Sequence, residues 1–316
     1  MPSTATTGGL GLPRLSEKRI GAFANELTSL YGRVSDRLRL KLFDAEQTDF
    51  SRWRAREQLA GIDHEIAYLN KGAKRWADKA MPDCYRIGAT VASDRLDNMG
   101  VASDLNMGSR LHSNAVAVLA EDVSSDLIMG ANNGLRRFAH RYVKLTQQKT
   151  LKDREITRVV AEGIIEGAPR REVSSGLLSM FEAKLKSGKM LTINGRQYDP
   201  RKYSRLVART RTREAVTQGT INTCLGGGCD LVRVSFRAEA CEVCIPFQGR
   251  VYSLTGANKD FPRLDTQPPW HPNCRHVLAP APEEYLRARG IYDSLREFTA
   301  GGKSVTSSEA FAEAIA

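Results

Sequence analysis

The sequence predicts an α+β protein: a long helical N-terminal region, packed as a bundle or stalk, followed by a small α+β domain with a Cys/His metal clamp. Three observations predict it. Apolar residues recur at steps of three and four through the first half with almost no strand signal; alternating patterns and an Asn-Gly turn begin only beyond residue 187; and five of the six cysteines lie between Cys224 and Cys274. The 316 residues suit two domains at about 100–200 residues each. A hydrophobic fraction of 41% with 26% charged residues excludes wholesale disorder.

Residues 1–15, rich in Thr, Gly and Pro, read as a flexible arm. Region 16–187 reads as all-helical. Its first stripe is Ile20, Phe23, Leu27, Tyr31, Val34, Leu38 and Leu42, with Ser16 as the expected N-cap. A second stripe runs through Ala55, Leu59, Ile62, Ile66, Leu69, Ala73, Trp76 and Ala80, and Pro82 is expected to stop it and open the next helix. Gly100, Gly108 and Asn132-Asn133-Gly134 punctuate further helices, and residues 156–185 repeat the apolar spacing.

Region 188–282 reads as the α+β domain. Asn194-Gly195 predicts a tight hairpin, because a type I′ turn needs positive φ at both central residues. A helix is expected over 203–222, ended by Gly226-Gly227-Gly228. Residues 231–236 alternate as a half-buried strand, with a second strand over 250–254. Region 283–316 reads as one short helix, Glu283 to Phe298, and a flexible tail.

The chemistry concentrates in Cys241-Glu-Val-Cys244 and His271-Pro-Asn-Cys274-Arg-His276. Two cysteines separated by two residues present both sulfurs to one ion from a tight turn, and a second ligand pair completes the four-coordinate shell of Zn²⁺. Sulfur and nitrogen donors favour zinc over hard cations. Cys241, Cys244, His271 and Cys274 are the expected ligands. His276 competes, since residues two apart on an extended strand point the same way. Four protein ligands leave no open position for water, so the ion reads as structural. Cys224 and Cys229 flank the glycine triplet with no further ligand near and read as buried thiols.

Lys and Arg number 47 against 36 acids, a net +11 that attracts a polyanion or an acidic protein surface. One concentration is Arg205, Arg209, Arg211 and Arg213, whose guanidinium forks suit carboxylate or phosphate on a partner; another runs from Arg136 to Arg154. No Walker loop, GxSxG elbow or HExxH is present, and the glycine triplet follows a helix rather than a strand. His64, His112 and His140 sit in helical patterns as surface or satisfied core residues. No catalytic constellation is complete, and the expectation is a binding protein rather than an enzyme. The competing reading is a zinc-dependent nuclease or nucleic-acid-binding protein using Glu239, Glu242 and His276. No window is apolar enough for a membrane span and no secretory leader opens the chain, so a soluble protein made in a reducing compartment is expected.

Several ordered fragments carry a family resemblance: Tyr203-Ser-Arg-Leu-Val-Ala-Arg-Thr210, Arg213-Glu-Ala, Gly219-Thr-Ile-Asn222, Asp230-Leu-Val-Arg-Val-Ser235, the Cys241 pair, Gln248-Gly-Arg-Val-Tyr-Ser-Leu254 and Pro268-Pro269-Trp-His-Pro-Asn-Cys-Arg-His276. In this order they resemble phage minor capsid or head morphogenesis proteins, the Mu F-like group and especially its minor capsid protein 2 branch. The resemblance implies a virion component present in few copies near the portal vertex. It implies contacts with portal, capsid and scaffold proteins while the head forms in the host cytoplasm, and no membrane. The positive charge adds double-stranded DNA as a further candidate partner.

Overall fold

The computed structural model describes residues 10–46, 52–103, 105–146, 183, 187–193 and 195–302. Five helical segments come first: α1 (Arg14–Glu46), α2 (Arg52–Asn98), α3 (Arg110–Gly130), a π-helix (Ala131–Arg136) and α4 (Arg137–Thr146). They are followed by β1 (Leu191–Ile193), β2 (Arg196–Tyr198), α5 (Pro200–Gly226), β3 (Leu231–Val234), β4 (Val251–Ser253), β5 (Leu278–Pro280), α6 (Glu283–Ala288) and α7 (Tyr292–Ala300). A long helical N-terminal region thus precedes a small domain of strands and helices. Most of residues 1–15, the helix expected over 156–185, the basic positions Lys149, Lys152 and Arg154, and the tail beyond 302 lie outside the described residues. Among the described residues, no helix is long and apolar enough to cross a membrane.

The chain divides into two compact units, each assembled from segments far apart in sequence. One takes Asn25–Ala77 and the described parts of Asp122–Arg205. In it the apolar stripes bury as expected, with Leu27, Tyr31, Val34 and Leu42 fully buried on α1 and Ile62 and Leu69 on α2. Each such side chain contributes about 1.5–3 kcal/mol. The Tyr31 hydroxyl donates to the Leu127 carbonyl at 3.2 Å. Asn132-Asn133-Gly134 does not end a helix; it lies within the π-helix that joins α3 to α4. A Cβ at Gly134 would fall 2.1 Å from Leu191 Cδ1, so the tip of that side chain would have to shift. β1 and β2 form the expected hairpin, Leu191 opposite Tyr198, with Gly195 at φ 76°, while Asn194 lies outside the described residues.

The other unit takes Asp78–Glu121 with the described parts of Met1–Ala24 and Leu206–Ala316. Its sheet has the order β4-β3-β5, antiparallel throughout. β3 was expected to be half-buried, yet all four of its residues are buried. The reason is that both faces are covered. Leu231 and Val251 pack with Phe261, Leu286, Leu295 and Phe298, while Val232 and Val234 pack on the other side with Leu96, Ile221, Cys224 and Leu278. Arg233 is buried in this strand, its Nε donating to the Gly249 carbonyl at 3.1 Å, and burial pushes its pKa down to about 10.

Four local expectations are corrected. Pro82 lies inside α2 rather than ending a helix, because the flanking Ala80, Met81, Cys84 and Tyr85 are all buried and their packing offsets the roughly 3 kcal/mol cost of an interior proline. Ser16 is not the N-cap of α1: the helix starts at Arg14, and the Pro13 carbonyl accepts from Glu17 N. The single C-terminal helix is two, α6 and α7, separated at Gly290, whose φ of 67° lets Ile291 N reach the Leu286 carbonyl. β5 was not expected as a strand at all. The glycine triplet does end α5 as expected, with Gly228 at φ 73° and Cys229 N donating back to the Cys224 carbonyl at 2.8 Å.

Candidate metal centre

The sheet topology brings the two halves of the Cys/His constellation together. β3 pairs with β4 and β5 so that Val234 lies opposite Leu278 and beside Arg250. The chain leaves the end of β3 toward Cys241 and Cys244, and it arrives at that same end of the sheet from Cys274 and His276 as it enters β5. Each half is a tight turn. The Cys241 carbonyl accepts from Cys244 N at 2.9 Å and Ile245 N at 3.0 Å, and the His271 carbonyl accepts from Cys274 N at 3.0 Å.

Cys241, Cys244 and His271 offer ligand atoms within 4.8 Å of one another, and so do Cys244, Cys274 and His276. Cys244 belongs to both groups. His271 Nε2 lies 3.2 Å from Cys241 Sγ and 3.0 Å from Cys244 Sγ. Cys244 Sγ lies 3.7 Å from Cys274 Sγ, close to the edge of about 3.8 Å that two thiolates share on one tetrahedral zinc.

Both histidines are oriented by outer partners. His271 Nδ1 lies 2.8 Å from the Pro272 carbonyl, which can only accept, so the proton sits on Nδ1 and the Nε2 lone pair faces the sulfurs. His276 is buried, with Nε2 at 3.3 Å from Gln248 Oε1 and Nδ1 at 3.7 Å from Cys274 Sγ. The same Gln248 oxygen accepts from Arg237 N at 3.1 Å, which fixes it as an acceptor and directs the His276 Nδ1 lone pair to the cluster. Burial, with Arg237 and His271 adding to it, holds His276 down to about 4. Burial and the neighbouring Cys274 push the Cys244 thiol up. Burial also acts to raise Cys241, but hydrogen bonds from the Cys244 backbone and side chain and from the Val243 backbone hold that thiol below its ordinary value. Imidazole nitrogens beside clustered thiols are a donor set that could hold a metal ion.

The other candidates lie elsewhere. Arg205 and Arg209 are exposed, and Arg211 pairs with Glu214 at 2.7 Å. Arg213 is buried and donates to Glu17. Arg136 and His140 converge on Asp63, and His112 Nδ1 meets the Tyr85 hydroxyl at 2.7 Å. Cys224 and Cys229 are buried in the core beside β3. Glu239 lines the pocket beside the cluster with Arg237 and Arg275, and Glu242 is exposed. Gln248 and Arg237 were not predicted as site residues from sequence, although Gln248 follows the Cys pair by four residues and opens one of the fragments that carry the family resemblance.

Residues 187–305 match the family model described as Phage minor capsid protein 2. The matched segment contains the sheet and every residue of the Cys/His cluster. The match is a likeness of this segment to a phage minor capsid protein family. No curated protein and no solved structure matches the chain.

Proposed function

We propose, from the premise that residues 187–305 are those of a phage minor capsid protein 2 segment, that this chain is a non-catalytic protein of the virion that sits near the portal vertex. There it contacts portal, capsid and scaffold proteins and assists head assembly or the passage of DNA. The observation that carries the reading is the family match over the same residues that form the sheet and the Cys/His cluster.

The ion is Zn²⁺, held by Cys241, Cys244, His271 and Cys274, with His276 as the competing ligand. Bound, it supplies a structural cross-link, on the order of 10 kcal/mol of folding free energy for such sites. Cys244 is central because it belongs to both donor groups. The clamp ties the β3–β4 connection to the segment entering β5, both of which are largely without regular structure. The protein acts through surfaces rather than through a reaction. The exposed Arg205 and Arg209 supply a basic contribution to docking, toward an acidic protein face or toward DNA.

Purified heads from infected cells provide the test. The chain is expected in mature heads and to co-purify with portal oligomers from a co-expression, with one zinc per chain by elemental analysis. Its absence from heads, or metal-dependent plasmid cleavage abolished by Glu242→Ala with His276→Ala, would replace this reading by the nuclease one. Binding of a DNA duplex that falls on a rise from 50 to 200 mM salt, at the steepness of phosphate contacts, would assign the basic surface to DNA.

A further inference from the structure

Beside the Cys/His cluster lies a second site, lined by Leu10, Leu12, Glu17, Phe236, Arg237 and Arg275, with a volume of about 260 Å³. Arg237 and Arg275 also line the pocket of about 270 Å³ over the cluster itself, so both guanidiniums stand between the two cavities. Their charge is not balanced locally. Arg213 lies behind Glu17 with its side chain only 7% exposed, donates to Glu17 Oε2, and leaves its own Nη1 buried without a hydrogen-bond partner. Glu17 Oε1 meets Arg237 Nη2 at 3.6 Å, beyond hydrogen-bond length. Arg275 is exposed and makes no hydrogen bond or ion pair among the described residues. Arg213, Arg237 and Arg275 therefore stand against two carboxylates, Glu17 in this pocket and Glu239 in the adjoining one, an excess of one positive charge. Burial and then the neighbouring Arg275 hold Arg237 below the usual arginine range, as expected where like charges are pressed together.

We propose that this pocket binds a carboxylate of an acidic peptide segment on a partner protein, an Asp or Glu side chain or a C-terminus, with Arg237 and Arg275 as the fork. Guanidinium forks match carboxylate geometry, and Leu10, Leu12 and Phe236 offer an apolar wall for the aliphatic stem of such a residue. A row of DNA phosphates fits less well. It needs an open basic track, whereas this site is concave, partly apolar and carries the Glu17 carboxylate. The identity of the partner as a head protein rests on the function proposed above; the ligand chemistry does not.

The test uses the full zinc-loaded chain and a fluorescein-labelled peptide of alternating Asp and Glu, read by anisotropy against its Asn/Gln counterpart. The acidic peptide is expected to bind at least about tenfold more tightly than the amide one, the scale of a charge-assisted hydrogen bond. Arg275→Ala should weaken it by about tenfold, Arg275→Lys by less, and Arg289→Ala not at all. Unchanged circular dichroism and zinc content in Arg275→Ala confirm that the variant is folded. Equal binding of both peptides, or full binding by the folded Arg275→Ala variant, overturns the proposal. So does a 20-base-pair duplex that displaces the peptide and itself depends on Arg275, which assigns the pocket to phosphate. Absence of the chain from purified heads would overturn the virion reading while leaving this peptide result standing.

Discussion

Gly88 on α2 and Gly219 on α5 notch one helix crossing: a Cβ at Gly88 would fall 1.9 Å from the Val216 carbonyl oxygen, and one at Gly219 would fall 2.1 Å from the Tyr85 carbonyl oxygen. Thr220 Oγ1 bonds across the same crossing to the Gly88 carbonyl at 3.3 Å. The crossing fixes the core partners of β3, since Ile221 and Cys224 follow on α5 and Leu96 on α2.

Alanine at either glycine is expected to destabilise this unit by about 3 kcal/mol, the upper end of ordinary overpacking, because the obstruction is backbone and cannot rotate away. Gly21→Ala is the control. That exposed α1 glycine has nothing within 4 Å of its added Cβ, and the change should stabilise by about 0.5–1 kcal/mol through helix propensity. Urea unfolding of the three variants separates the cases, and equal midpoints for Gly88→Ala and Gly21→Ala would contradict the close crossing.

Neither notch was legible in the sequence, where Gly88 and Gly219 are two of 26 glycines. Legibility followed the range of the cause. The α1 stripe from Ile20 to Leu42 was readable because period and burial are one local fact, and all seven of its residues are buried. The five residues that could hold a metal ion were readable because two tight turns carry four of them and His276 follows the second turn by two residues. Arg233 made β3 look half-exposed, since the carbonyl that accepts from it, Gly249, lies later in the chain just before β4. β5, three residues ending in proline, carries no strand signal by itself and exists because β3 offers an edge. Glu17 gave no hint that its partner is Arg213, nearly two hundred residues away.

Arg213 and Arg209 share a helix and a four-residue step but should behave oppositely. Arg213→Ala removes the hydrogen-bonded partner of the partly buried Glu17 carboxylate and leaves it only Arg237 at 3.6 Å; with the Glu17 side chain 28% exposed, the cost is expected to reach at most about 3 kcal/mol. Arg209→Ala, at an exposed site, should fall within about 0.5 kcal/mol of the parent. Thermal melts of both variants, with Glu17→Gln to complete a cycle, check this. A Glu17→Gln, Arg213→Ala double variant as stable as Glu17→Gln alone would locate the whole penalty in the abandoned carboxylate.

Asp230 gives a pH dependence. Its carboxylate accepts from Ser253 Oγ at 2.5 Å, Thr255 Oγ1 at 2.7 Å and Thr255 N at 2.9 Å, pinning the turn after β4. Burial acts to raise its pKa, but these bonds outweigh burial and hold it below the usual carboxylate value. A depressed carboxylate contributes its full stability above the unfolded pKa of about 3.9, and that contribution is lost as pH falls through the lower folded value. Asp230→Asn is therefore expected to be less stable than the parent by about 1–2 kcal/mol at pH 7, after allowing for solvent screening. The difference should shrink as pH drops below about 4. Parallel melts at pH 7, 5 and 3 measure it, and a constant gap would mean that the charge of Asp230 does not matter.

Metal removal should be visible through Trp270, which stacks on Phe247 at 4.3 Å between ring centroids and lies 5.9 Å from the His276 ring. Chelating the proposed zinc frees the segment that carries Trp270, His271 and Cys274, so tryptophan emission should shift to the red and amide protection across β5 should fall. The shift is expected to vanish in Trp270→Phe, which separates it from the signals of the other tryptophans. Ligand substitutions then rank the donors. Cys244→Ser should abolish stoichiometric zinc, because it removes the sulfur common to both groups. His271→Ala and His276→Ala should differ: with His271 in the shell, its loss weakens zinc strongly, while loss of His276 costs about 10–100-fold as an outer partner does. The reverse ranking would move His276 into the shell in place of His271. Unchanged emission on chelation, together with no zinc in the reduced chain, would leave the cluster as two buried thiols and one exposed thiol packed beside two imidazoles.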